Sequence, residues 1–226
     1  MAEVTSALVK ELREKSGAGM MDCKKALLEC GGDLSKASDW LREKGLATAG
    51  KKAGRSATEG MVGHYIHMGG KIGVLVEVNC ETDFTARNEK FQQLVKDIAM
   101  QIAAMSPEWV RREEVPADAL EHEKKISRAQ LIEQGKPEAM LEKILPGKLE
   151  KFYKEKCLLE QIFIKDPESK RTVQQEVTDA IAVIGENINV RRFVRMALGE
   201  GMKKEQKDFA AEVSKAIGPQ GGEPKK

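Results

Sequence analysis

Aromatic side chains are scarce: two tryptophans, two tyrosines and six phenylalanines in 226 residues. A stacking platform for single-stranded nucleic acid needs several exposed rings, so this composition argues against one. Histidine is scarcer still, with three residues. His64 and His67 lie three apart in a strand pattern, point to opposite faces and cannot chelate one ion through adjacent side chains. The four cysteines, Cys23, Cys30, Cys80 and Cys157, fit neither a disulfide framework nor a zinc-type spacing. Cys80 has Glu81 and Asp83 beside it, and no local base to lower its pKa, which makes a poor nucleophile. An excess of one charge sign is also missing, with Lys+Arg 38 against Asp+Glu 36. A net +2 gives no strong field for capturing nucleic acid or an anionic membrane. No apolar run approaches the roughly 20 residues of a membrane-spanning helix. The start, MAEVTSALVKELREK, carries Glu3, Glu11 and Glu14, where a targeting peptide avoids acids. A cytoplasmic location without membrane association is the expectation.

Signatures of catalysis are likewise thin. Gly17-Ala18-Gly19 beside Lys24-Lys25 follows a helix pattern instead of a strand, and meets neither the phosphate-loop nor the dinucleotide glycine spacing. Glu77, Glu81 and Asp83 have no second acidic cluster to work with. The chain is therefore read as one without covalent chemistry, metal or cofactor.

What is present is periodicity. Val4, Leu8, Val9 and Leu12 form a helical stripe closed by Ser16-Gly17. A second short helix from about Asp22 carries Ala26, Leu27 and Cys30, and Asp33 can cap a third with Leu34, Ala37, Trp40 and Leu41 before Gly45. Residues 1–46 are thus a three-helix module, and the small, basic 47–59 a linker. From Met61 the period becomes two. MVGHYIHM, Gly69-Gly70 and KIGVLVEVN read as a hairpin with a two-residue turn. That register places Ile72, Val74, Val76 and Val78 on the face of His67, Tyr65, Gly63 and Met61, leaving a wetter face with Glu77 and Asn79. A helix from about Asn88 carries Phe91, Leu94, Val95, Ile98, Ile102 and Met105 as far as Ser106-Pro107. Residues 117–160 form a charged helical arm with interruptions at Gly135-Lys136-Pro137 and Pro146-Gly147, two or three helices in all. A further helix at about 172–184 precedes a third strand, in which Ile188, Val190, Val194, Met196 and Leu198 alternate with Asn189, Arg191, Phe193 and Arg195. The whole is α+β: the module, the linker, a core over 60–200 with a small antiparallel three-strand sheet, and a C-terminal helix with a disordered tail over 201–226.

One stretch resists a purely structural account. NCETDFTARNEKF joins a strand to a helix, yet sets Asp83 beside Phe84 in the connection. Two readings stand: a wedge for a partner, or a ring tucked into the core with Asp83 or Thr85 capping the next helix. Arg191 and Arg195 around Phe193 also admit two readings, RNA contact or a solvated strand face.

Three blocks, GAGMMDCKKAL at 17–27, KIGVLVEVNCETDF at 71–84 and IGENINVRRF at 184–193, resemble in order and separation the motifs of the elongation factor Ts family. The resemblance implies a ubiquitin-associated-like helical domain and a nucleotide exchange factor for the translation GTPase elongation factor Tu, acting without cofactor. It implies that Thr82, Asp83, Phe84 and Thr85 enter the GTPase near its magnesium site, Phe84 wedging between helices while Asp83 disturbs the magnesium network. Arg13, Met20 and Met21, with Lys51 and Lys52 on the linker, would dock the helical module, with Met21 alternatively inside its own core. Phe209 would belong to a C-terminal helix lying on the GTPase. Only one strand-rich unit is present, as in short members, so pairing of two chains to cover open sheet edges is expected. A helical adaptor or an RNA-binding translation protein remains the alternative.

Overall fold

A computed structural model describes residues 4–202. The helical module opens with α1 (Ser6–Ser16), capped by Thr5, whose hydroxyl accepts from the Leu8 N–H. Gly17, at φ 65°, ends it in the left-handed conformation that glycine adopts without strain. α2 (Met20–Glu29) and α3 (Leu34–Lys52) follow, α3 starting at Asp33, whose carboxylate accepts from the N–H groups of Ser35 and Lys36. Leu12, Cys23, Ala26, Leu27 and Ala37 are fully buried in a small core of their own.

The third helix does not stop before Gly45; it continues to Lys52 and takes up the first part of the expected linker. A Cβ on Gly45 would lie 3.0 Å from that of Ala182. The glycine therefore marks a close helix crossing, and contact with a later helix offsets the roughly 1 kcal/mol that a mid-helix glycine costs.

The strands are β1 (Glu59–His67), β2 (Ile72–Cys80) and β3 (Ile188–Ala197), antiparallel in the order β1-β2-β3. β1 and β2 pair in the register read from the sequence, His67 opposite Ile72 and Met61 opposite Val78. The connection is longer than two residues. Met68 to Lys71 make the turn, with Met68, Gly69 and Gly70 all at positive φ and both Gly70 and Lys71 donating to the His67 carbonyl.

α5 (Glu89–Met105), capped by Asn88, lies across β1 and β2 and buries Phe91, Leu94, Val95, Ile98 and Ile102. Gly63 allows this approach, because a Cβ there would sit 2.3 Å from Val95 Cγ1. α8 (Val173–Ile184) has a capping box at Thr172 and packs on α5, β3 and α3. The arm consists of two helices, here numbered α6 (Ala117–Glu133) and α7 (Glu138–Lys156). Its expected break at Pro146-Gly147 is absent. Pro146 sits inside α7, where the lost backbone bond is offset by a seam that buries Ser127, Leu131 and Leu141. At the arm's base the fully buried Gln101 and Gln161 are hydrogen-bonded to each other, and Gln101 also bonds the backbone of Ile162 and Ile164.

β3 departs from simple alternation. Val190 faces Val78 but Arg192 faces Glu77, so Arg191 is an extra residue in a bulge. Beyond it the faces exchange. Phe193 and Arg195 turn toward the core side, opposite Val76 and Val74, while Val194 and Met196 turn outward. The face expected to be wetter is exposed but largely aliphatic, with Val62, Ile66, Leu75, Val194 and Met196 each more than half exposed.

Candidate functional site

Between β2 and α5 the chain forms a single helical turn, α4 (Asp83–Ala86). Thr82 is its cap: its hydroxyl oxygen accepts from the Thr85 N–H at 3.3 Å. Thr85 and Ala86 are buried beneath the turn, so Asp83 and Phe84 project away from the protein. Phe84 is 85% exposed, the highest value for any large apolar side chain among the described residues. Leaving such a ring in water forgoes roughly 1.5–3 kcal/mol of burial. Of the two readings of this stretch, the core-packed ring is excluded. The next helix is capped by Asn88, whose side-chain oxygen accepts from the Lys90 N–H at 2.8 Å, and by neither Asp83 nor Thr85.

Asp83 is paired within its own turn: Oδ2 lies 2.7 Å from Arg87 Nη2, both side chains well exposed. An exposed pair of this kind contributes about 0–1 kcal/mol, so a partner's charge can readily replace Arg87. The four-residue spacing of Asp83 and Arg87 is the sequence signal of this contact.

The turn is held from behind by residues far away in the chain. Glu186, in the connection from α8 to β3, accepts from the N–H groups of Glu81 and Thr82 at 3.1 and 3.0 Å, and from the Thr82 hydroxyl at 2.7 Å. Glu81 answers in kind, accepting from the Asn187 N–H at 2.6 Å, and pairs with Arg55 at 3.5 Å. Asn187 Nδ2 then donates to the Arg55 carbonyl at 2.8 Å. Burial pushes the Glu186 carboxyl up, but the bonds from Thr82 and from the Thr82 and Glu81 backbone outweigh it, and the group stays below its ordinary range. Cys80 donates to the Thr82 carbonyl at 3.2 Å. Burial, with the nearby charge of Glu186, raises its thiol pKa and keeps it protonated as that donor. Glu186 lies inside one of the quoted sequence blocks, but a contact across 104 residues leaves no mark in local spacing.

The docking candidates fall as follows. Arg13 is exposed on α1. Met20 and Met21 belong to the first turn of α2, which starts ahead of the expected Asp22, and are 54% and 76% exposed, so Met21 is not inside its own core. Lys51 and Lys52 are in the last turn of α3. Lys51 is exposed, whereas Lys52 Nζ donates to the Gly185 carbonyl, next to Glu186. Lys90 Nζ donates to the Gly17 carbonyl at 3.3 Å, bringing the turn ahead of Met20 to the start of α5. The fold thus gathers α4, the end of α3 and the α1–α2 turn around the start of α5 and the end of α8. Phe209 lies outside the described residues.

Arg191 and Arg195 do not form a free basic face. Arg191 and Arg192 both hydrogen-bond Glu77, at 2.7 and 2.6 Å, and hold its carboxyl down at about 2. The Arg195 side chain is only 16% exposed. Tyr65 stacks on His67 and bonds its Nδ1 at 3.0 Å; among the described residues no group of His, Cys, Asp and Glu is arranged to hold a metal. Nor is any described helix long and apolar enough to cross a membrane.

Comparison with known proteins is unambiguous. The family described as Elongation factor TS matches residues 50–170. Elongation factor Ts of Anaeromyxobacter sp. (strain K) is 66% identical over 220 residues, covering 97% of this chain and all of that protein. Elongation factor Ts of Desulforamulus reducens is 65% identical over 217 residues, and that of Geobacter sulfurreducens 64% over 215, each covering at least 95% of this chain and 99% of the relative. With the α+β architecture and three sequence blocks in agreement, the chain belongs to the elongation factor Ts family.

Proposed function

We propose that the protein is the guanine nucleotide exchange factor of elongation factor Tu in peptide chain elongation, working in the cytoplasm by binding the GDP form and promoting GDP release. A translation GTPase grips its nucleotide through a phosphate loop and a bridging magnesium ion, so displacing either loosens the whole ligand. Phe84 is the wedge and Asp83 the group that disturbs the magnesium network. Thr82 and Thr85 shape the turn that carries them. The exchange factor makes and breaks no covalent bond. Linkage requires that a protein which weakens nucleotide binding is itself released when nucleotide returns.

The observation that carries this reading is the ring of Phe84, held 85% exposed on a braced turn beside Asp83. Arg13, Met20, Met21 and Lys51 offer the second contact, with Lys52 bridging toward the turn, and Phe209 a third from the C-terminal segment. Adjacent exposed methionines suit an adaptable apolar surface. Two copies of the chain pair through the sheet, and its aliphatic face, exposed among the described residues, supports a face-to-face arrangement in preference to joined edges.

The decisive measurement is release of labelled GDP from purified elongation factor Tu. The protein is expected to accelerate it, and Phe84→Ala and Asp83→Ala to reduce the acceleration by about tenfold or more with unchanged circular dichroism. Full acceleration by Phe84→Ala would remove the wedge.

A further inference from the structure

We propose that Glu186 is the positioning residue of the exchange element, the group that fixes the attitude of the turn carrying Asp83 and Phe84. The inference rests on the reading of that turn as the exchange element. It starts from a deficiency of α4. One helical turn fixes several backbone dihedrals for very few hydrogen bonds, so a four-residue helix does not hold its own shape. The N–H groups of Glu81 and Thr82, just ahead of it, have no partner within the turn and would be left to water if the loop drifted.

Glu186 supplies what is missing. One carboxylate oxygen accepts both N–H groups and the other accepts the Thr82 hydroxyl, while the same hydroxyl oxygen receives the Thr85 N–H. The carboxylate is therefore coupled through one side chain to the first turn of α4. Glu186 is itself pinned: Gly185 closes α8 in the left-handed conformation and Asn187 leads into β3, so the anchor is set by two packed elements. The reciprocal bond from the Asn187 N–H to Glu81 closes the frame, and Asn187 with Arg55 ties it to the segment that follows α3. Asp83 and Phe84 make no part of this frame. They are carried by it.

A positioning role separates from a purely structural one in kinetics. Without the brace the turn samples other attitudes, and the bound complex passes less often through the state that releases nucleotide. Docking through the helical module is untouched. In GDP release measured against exchange-factor concentration, Glu186→Ala is expected to lower the maximal rate about tenfold while the half-saturating concentration stays within about twofold. Glu186→Gln keeps an oxygen for the two backbone N–H groups and is expected to recover to within about threefold of the parent. Glu186→Asp keeps the charge but ends one methylene short, and is expected to fall with the alanine variant; it serves as the second probe if Glu186→Ala does not fold. Full maximal rate in Glu186→Ala or Glu186→Asp, or a glutamine variant no better than the alanine one, overturns the proposal. If the parent fails to accelerate release, or Phe84→Ala is as fast as the parent, the exchange reading itself fails. If Phe84→Ala is slow and Glu186→Asp is fast, only the role of Glu186 is lost.

Discussion

At the scale of single residues, the exposure of Phe84 and the burial of the cysteines are opposite outcomes of the same burial energetics. Cys23, Cys80 and Cys157 are buried and Cys30 is half-buried. Burial, aided by Glu160, pushes the Cys157 thiol up to about 12, and Cys80 is raised by burial and Glu186. Thiolate is the reactive form, so alkylation of the native protein should label Cys30 first, with Cys80 and Cys157 at least about tenfold slower. Peptide mapping after a timed iodoacetamide pulse checks this; early labelling of Cys157 contradicts it. The sequence indicated that Cys80 lacked a base, and the structure adds that it serves as a hydrogen-bond donor. For Phe84 the sequence admitted two answers, because a ring in a connection turns inward or outward according to what lies beneath it. Thr85 and Ala86 occupy that place.

At the scale of elements, glycines are where local pattern and tertiary contact part company. Gly45 reads as a helix stop, yet α3 runs through it because α8 approaches at Ala182. Gly63 reads as an ordinary strand residue, yet its missing Cβ makes room for Val95. Gly63→Ala should therefore destabilise the protein by about 1–3 kcal/mol through overpacking between β1 and α5. Urea unfolding measures the shift, and pairing the substitution with Val95→Ala should recover part of the loss. A neutral Gly63→Ala would mean that α5 retreats without cost. The bulge at Arg191 is of the same kind. Strict alternation along β3 put Val190 and Val194 on one face, whereas the extra residue separates them and leaves Val194 and Met196 outside.

At the scale of the whole molecule, the aliphatic sheet face, which no other described residue covers, is the feature that the described residues of one chain do not explain. Leu75 lies on the central strand, where a side chain is normally under another layer, and is 54% exposed. Its neighbours across the strands are His64 and Val194, with Val62 and Ile66 further along β1. The proposed pairing places a second copy here. Analytical ultracentrifugation should find a dimer for the parent chain and a monomer for Leu75→Lys, whose charge cannot be buried without a partner. A parent chain that sediments as a monomer at high concentration disposes of the pairing.

The sequence by itself determined the fold class, the hairpin register, the presence of a helical arm and the position of the connection that carries Asp83 and Phe84. Those depend on local period, on capping residues such as Asp33, and on motif blocks that stand complete within short windows. Only the tertiary structure decided where α3 ends, which face of β3 looks outward, whether Phe84 is covered, and that Glu186 braces its turn. Each of these depends on a neighbour distant in the chain, and a hydrogen bond or a close contact across 104 residues is fixed by packing, which local periodicity does not encode.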